Sequence, residues 1–325
     1  MPTPYEDTTR LHAPLQPFAS GYLTRGAHKL YYEQSGNPDG IPVLFLHGGP
    51  GAGFAPSHRR LFDPKRFHAI LFDQRGCGRS TPYASVDDNT TDHLVEDIDA
   101  LRQACGVDQM IIFGGSWGST LALAYGIAHP ERCLGFILRG IFLGGRDEID
   151  WFLYDMGRFY PEAFAKFRDF LPQRDHDNIL DAYYQRMTSL SSGQAQEAAA
   201  AWAAYENSCA TLVAEERSAG PNALAIALIE AHYFRHNCFM EEGHILSHVS
   251  RISHLPATII NGRHDVICPP VSAVALAEAW GPKARLQLID DAGHSAFEAG
   301  ILYGLLRGLD QLYDQITRQK AVSHS

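Results

Sequence analysis

Residues 110–119 read Met110-Ile111-Ile112-Phe113-Gly114-Gly115-Ser116-Trp117-Gly118-Ser119. Four apolar residues predict a strand buried on both faces, and Ser119–His129 has the character of a helix. Between them, G-x-S-x-G sets a serine on a sharp strand-to-helix turn. The glycines follow from the geometry: a side chain held on a strained turn needs neighbours without Cβ atoms two positions to each side, here Gly114 and Gly118. The turn pushes the Ser116 hydroxyl out at the strand end, where the free N–H groups of a helix start face developing negative charge. The plain alternative is a glycine-rich turn with an incidental serine.

Working outward, short strand-like runs recur at α/β spacing. Leu30–Glu33, Val43–Leu46, Ala69–Phe72 and Phe136–Leu138 join Met110–Phe113, the central ones apolar throughout. Asp92–Cys105 reads as a helix, with Leu94, Ile98, Leu101 and Cys105 at helical spacing. From Trp151 to His248 the strand pattern disappears and helical segments take over, clearest in Ser192–Cys209 and Ala223–His236. It returns with Ala257–Ile260 and Arg285–Ile289. The expectation is an α/β-hydrolase fold with a mostly parallel central sheet. Residues 1–141 and 249–325 form its catalytic core, and residues 142–248 a helical cap inserted over the strand ends, where ligands bind in such sheets. A separate helical domain is the alternative.

The 325 residues suffice for one large α/β domain carrying an insertion. A formal charge of -10, from 27 basic and 37 acidic residues, argues against a nucleic-acid partner. No apolar run approaches membrane-spanning length, so no membrane partner is expected. Met1–Asp7 lacks the basic and apolar regions of a secretion signal. The six cysteines are scattered without C-x-x-C, which reads as free thiols in the cytoplasm. The histidines show no H-E-x-x-H, so neither a metal nor another cofactor is expected.

A serine hydroxyl needs a general base that is itself oriented by a carboxylate. In this fold they follow in the order Ser, Asp or Glu, His. Asp265, just past the strand Ala257–Ile260, and His294, just past the strand Arg285–Ile289, occupy those places. His264 competes locally but adjoins the acid. Oxyanion donors are expected from the Trp117 N–H and from Gly48 and Gly49 in the loop His47-Gly48-Gly49-Pro50-Gly51.

These residues resemble the proline iminopeptidases, or prolyl aminopeptidases, over essentially the whole chain. The resemblance rests on His47–Gly51, Asp73-Gln74-Arg75-Gly76-Cys77-Gly78-Arg79-Ser80, Gly114–Ser119 and Leu138-Arg139-Gly140-Ile141-Phe142. Asp265-Val266-Ile267-Cys268-Pro269 and Gly293-His294 complete it. It implies a metal-free cytoplasmic serine peptidase that removes proline from peptides with a free N-terminal proline. It also implies that Glu206 and Glu230 bind the substrate amine, since a desolvated cation requires charged acceptors. Taken alone, either glutamate would read as a solvated helix charge. Two neighbours depart from the family pattern, Tyr205 where Trp is usual and Ala231 where Asn is common.

Phe142 and Trp117 are wall candidates for a pyrrolidine slot, with Tyr154 and Tyr233 behind them. Cys268 is placed to line the same region and to confer thiol-reagent sensitivity. Asp73–Ser80 reads as scaffold. An esterase, amidase or lactonase with a capped apolar pocket remains open, as does a non-catalytic binding protein of the same fold. Serine rather than aspartate at 116 disfavours dehalogenase or epoxide hydrolase chemistry. Oligomeric state is not legible.

Overall fold

The computed structural model describes residues 11–189, 191–213 and 220–323; the Met1–Asp7 segment lies outside them. Eight strands form one sheet: β1 (Ala19–Arg25), β2 (His28–Gly36), β3 (Ile41–Leu46), β4 (Phe67–Phe72), β5 (Met110–Ser116), β6 (Cys133–Ile141), β7 (Ala257–Gly262) and β8 (Ala284–Ile289). Their order is β1-β2-β4-β3-β5-β6-β7-β8. The β1–β2 and β2–β4 pairings are antiparallel and the rest parallel. β4, β5 and β7 are buried at every position, the physical meaning of their unbroken apolar runs. β1 instead alternates half-buried and exposed residues and carries no apolar run, so its sequence announces no strand.

Ten α-helices accompany the sheet: α1 (Thr91–Ala104), α2 (Trp117–Ala128), α3 (Arg146–Asp150), α4 (Pro161–Asp169), α5 (Ile179–Ser189), α6 (Ser192–Cys209), α7 (Ala223–Arg235), α8 (His244–His248), α9 (Pro270–Trp280) and α10 (Ala299–Ser323), counted among the described residues. The period-two alternation of the strands divides the interior. Leu44, Leu46, Ile112 and Leu138 pack with α1, α2 and α9 on one face. Val43, Phe45, Ile111, Phe113 and Ile137 pack on the other with Ile301, Leu305, Leu309 and Leu312 of α10. Each such fully buried side chain contributes about 1.5–3 kcal/mol. β6 and β7 pair in parallel although the chain between them runs from Phe142 to Pro256.

That intervening chain holds α3–α8 and packs around Trp202. Phe152, Phe167, Tyr183 and Phe234 surround its ring at centroid distances of 5.8, 5.5, 5.4 and 6.3 Å. The cluster is continuous with the α2 face of the sheet. The helix bearing Glu206 and the helix bearing Glu230, α6 and α7, meet there.

Candidate active site

Ser116 ends β5 with φ +57° and ψ −131°, outside the conformations ordinary residues prefer. The flanking glycines are required by contact. A Cβ on Gly114 would lie 2.1 Å from the Gly118 carbonyl oxygen, and one on Gly118 2.2 Å from that of Leu46. The Cys268 thiol lies close enough to the Ser116 hydroxyl for its ionised form to be favoured by it. Burial, with Asp265 and Glu148 nearby, pushes that thiol well above its usual pKa.

Asp265 and His294 meet from loops at the ends of β7 and β8. His294 Nδ1 donates to Asp265 Oδ2 at 2.8 Å, and the aspartate side chain is fully enclosed. Asp265 Oδ1 accepts from the Ile267 and Cys268 N–H groups at 3.1 and 2.8 Å. With the Nδ1 proton directed at Asp265, Nε2 carries the lone pair a general base needs. That lone pair faces a guanidinium: Arg139 Nη1 donates to His294 Nε2 at 2.9 Å and to the His294 carbonyl at 2.8 Å. Among the described residues no hydrogen bond joins Nε2 to Ser116. Arg139 emerges from the end of β6 beneath the elbow, where a Cβ on Gly115 would lie 2.6 Å from its Nη2. Burial lowers the guanidinium pKa, opposed by Asp265, Cys268 and Glu298.

The loop after β3 presses on the serine: a Cβ on Gly48 would sit 3.2 Å from Ser116 Cβ. Gln74 fastens this loop to the elbow. Its Nε2 donates to the His47 carbonyl at 2.9 Å, and its Oε1 accepts from Trp117 Nε1 at 3.0 Å. Its backbone N–H donates to His47 Nε2 at 3.1 Å, so His47 Nδ1 carries the proton it donates to the Gly48 carbonyl at 2.9 Å. Burial lowers the pKa of His47 and favours that neutral form.

Glu206 lines the same cavity as Ser116, Gly48, Gly49, Arg139 and His294. Glu230 is buried and accepts from Trp202 Nε1 at 2.5 Å. Burial raises Glu206 to about 7, and burial followed by the charge of Glu206 raises Glu230 well above the carboxylate range. A half-buried carboxylate on the cavity wall and a buried one behind it, with one hydrogen-bond donor at the buried one, are suited to a cation.

The wall candidates divide. Phe142 is buried at the end of β6, 6.0 Å from the Phe234 ring. Tyr233 lies wholly inside, its ring 4.6 Å from that of Trp117 and its hydroxyl donating to Asn89. Tyr154 is 37% exposed. Sequence reasoning missed Arg139 and Trp202 as site residues. Arg139 stood inside the quoted Leu138–Phe142 run, and Trp202 lies one helical turn before Glu206, on the same face. Among the described residues no group of three or more His, Cys, Asp or Glu is placed to hold a metal ion. Nor is any helix among them long and apolar enough to cross a membrane.

Sheet order, elbow and loop placement define an α/β hydrolase, and residues 41–300 match the family model described as the alpha/beta hydrolase fold. The chain is 45% identical over 319 residues to a probable proline iminopeptidase of Leptolyngbya boryana, covering 96% of this chain and 99% of that one. It is 47% identical over 301 residues to a proline iminopeptidase of Arabidopsis thaliana, covering 90% and 79%. The chain belongs to the proline iminopeptidase family of α/β hydrolases. The crystal structure of a Mycobacterium smegmatis proline iminopeptidase shares the fold, with TM-score 0.59 and 17% identity over 92% of this chain and 100% of that one.

Proposed function

We propose that this protein is a cytoplasmic serine exopeptidase that releases proline from peptides with a free N-terminal proline. The observation that carries the reading is the pair of Glu206, on the wall of the Ser116 cavity, and Glu230, buried within reach of its charge. A secondary ammonium held between these carboxylates sets the prolyl carbonyl at Ser116. Residues 142–248 act as the cap over a core of 1–141 and 249–325, leaving no room for a residue before proline.

His294, oriented by Asp265, takes the Ser116 proton as the hydroxyl attacks. The tetrahedral oxyanion is held by the N–H groups of Gly49 and Trp117, with Gly48 shaping the loop. For this, Arg139 must give up Nε2, so the free enzyme rests with its base engaged and substrate entry releases it. His294 then protonates the leaving amine, and water cleaves the prolyl-enzyme by the reverse steps. Phe142 and Cys268 bound the ring site, and Tyr233 supports it from behind. Six unpaired cysteines accord with a reducing compartment.

The test is a panel of aminoacyl-naphthylamides together with N-blocked prolyl-naphthylamide. Strong preference for the free prolyl substrate, lost on blocking, is expected. Equal hydrolysis of blocked and free forms would favour the esterase or amidase reading.

A further inference from the structure

The cavity at Ser116 has an apolar set of lining residues, its branch, to which the prolyl reading gives no role. It is walled by Phe45, Phe113, Leu61, Leu305, His58 and Ala296, and the whole cavity encloses about 220 Å³. Phe45 and Phe113 are cross-strand neighbours on the α10 face of the sheet. Glu230 and its partner Trp202 belong to helices whose apolar cluster is continuous with the opposite, α2 face. Ser116 and His294 stand between the two. Chemistry orders the substrate along that line, because the ammonium and the leaving amide nitrogen lie on opposite sides of the attacked carbonyl.

The branch is built for a flat, uncharged group. The His58 ring stacks on Phe45 at 4.7 Å between centroids and on Phe297, of the His294 loop, at 5.8 Å. His58 Nδ1 accepts from the Ala55 N–H at 3.0 Å and so carries no proton. Burial, then the neighbouring His47 and Arg139, bring its pKa down to about 4, which keeps the ring neutral. Two charged side chains line the cavity, Glu206, which the prolyl reading assigns to the ammonium, and Arg139, the cation whose charge reaches His58 against a smaller opposing effect of Asp73.

We infer that this branch is the subsite for the residue that follows proline, and that it selects apolar, above all aromatic, side chains and rejects cationic ones. The inference rests on the prolyl exopeptidase reading. Desolvating a phenyl group there corresponds to a preference of about tenfold or more in kcat/KM.

The experiment measures kcat/KM for the peptides Pro-Gly, Pro-Phe and Pro-Lys with the parent enzyme and two variants, Ala296→Leu and His58→Ala. Pro-Phe is expected to exceed Pro-Gly about tenfold, with Pro-Lys the poorest. Ala296→Leu, which fills the branch, should lower Pro-Phe about tenfold and leave Pro-Gly within twofold. His58→Ala, which removes one aromatic plate, should shrink the same preference from a different element. Turnover of Pro-Gly and Pro-Phe at equal rates by the parent, or equal loss of both in the two variants, overturns this inference alone. No turnover of any of the three peptides overturns the prolyl reading and this inference with it.

Discussion

Ser116 is held in a backbone conformation that a serine adopts only under constraint, and its hydroxyl is the group on which the proposed chemistry depends. Ser116→Ala should cut kcat on prolyl-naphthylamide by roughly 10⁶, in line with loss of a triad nucleophile. Retention of a tenth of the activity would remove this residue from the role. The carboxylate pair gives a second expectation, with a definite sign. Both groups are raised, Glu206 to about 7, so the free enzyme takes up protons there as the pH falls. An ammonium binds the ionised pair, so binding must expel those protons. KM for prolyl substrates should therefore rise as pH drops through about 7, approaching about tenfold per pH unit for one linked proton. KM for a small neutral ester should stay flat, and Glu206→Gln should remove the part of the slope centred near 7 while leaving that of Glu230. At this scale Ser116, Asp265 and His294 were legible because order along the chain and position after strands carry their signal. Arg139 was not. An arginine at a strand end reads as a surface charge until the neighbouring strand shows a glycine above it and a histidine beside it.

Among the elements, β3, β4 and β5 announced themselves through apolar runs that only a doubly covered sheet explains. The edge strand β1 did not, since its alternation is mild and its register comes from pairing with β2. The Asp73–Ser80 loop read as scaffold, and its contacts give that word content. Gln74 joins the loop after β3 to the first residue of α2 through two side-chain hydrogen bonds, at 2.9 and 3.0 Å. Those two elements supply the proposed oxyanion donors, so Gln74 sets the distance between them without touching substrate. Gln74→Leu should lower kcat by as much as about 10², approaching the loss of one oxyanion donor. KM should change little, because the proposed amine site, Glu206 and Glu230, lies on other helices. A KM effect equal to the kcat effect would show a general collapse of the pocket instead.

In the molecule as a whole, the segment that bears Glu206 is tied to the loop that bears His294. The Ala210 carbonyl, at the end of α6, accepts from the N–H groups of both His294 and Ser295, at 3.1 and 2.8 Å. Glu298 bridges the same join, with Oε1 accepting from Leu212 N–H and Oε2 from Gly293 N–H, each at 2.9 Å. This join was invisible in the sequence, since the two segments are more than eighty residues apart and Ala210, Leu212 and Glu298 belong to no recognised motif. It makes placement of the proposed amine-binding carboxylate, Glu206, and of the proposed base, His294, one mechanical event. Removing the bridge leaves two backbone donors without their acceptor, at about 1–3 kcal/mol each where they are buried. Glu298→Ala should therefore lower kcat/KM for prolyl-naphthylamide about tenfold, and should also slow a small neutral ester, because the His294 loop serves both. Glu206→Gln, by contrast, should spare the ester. In the double variant, independent sites would give additive losses on the prolyl substrate. Coupling through the α6 end predicts a combined loss smaller than the sum, since a loosened helix has already misplaced the carboxylate. Strict additivity, measured as kcat/KM across the four proteins, would mean that cap and base are positioned separately.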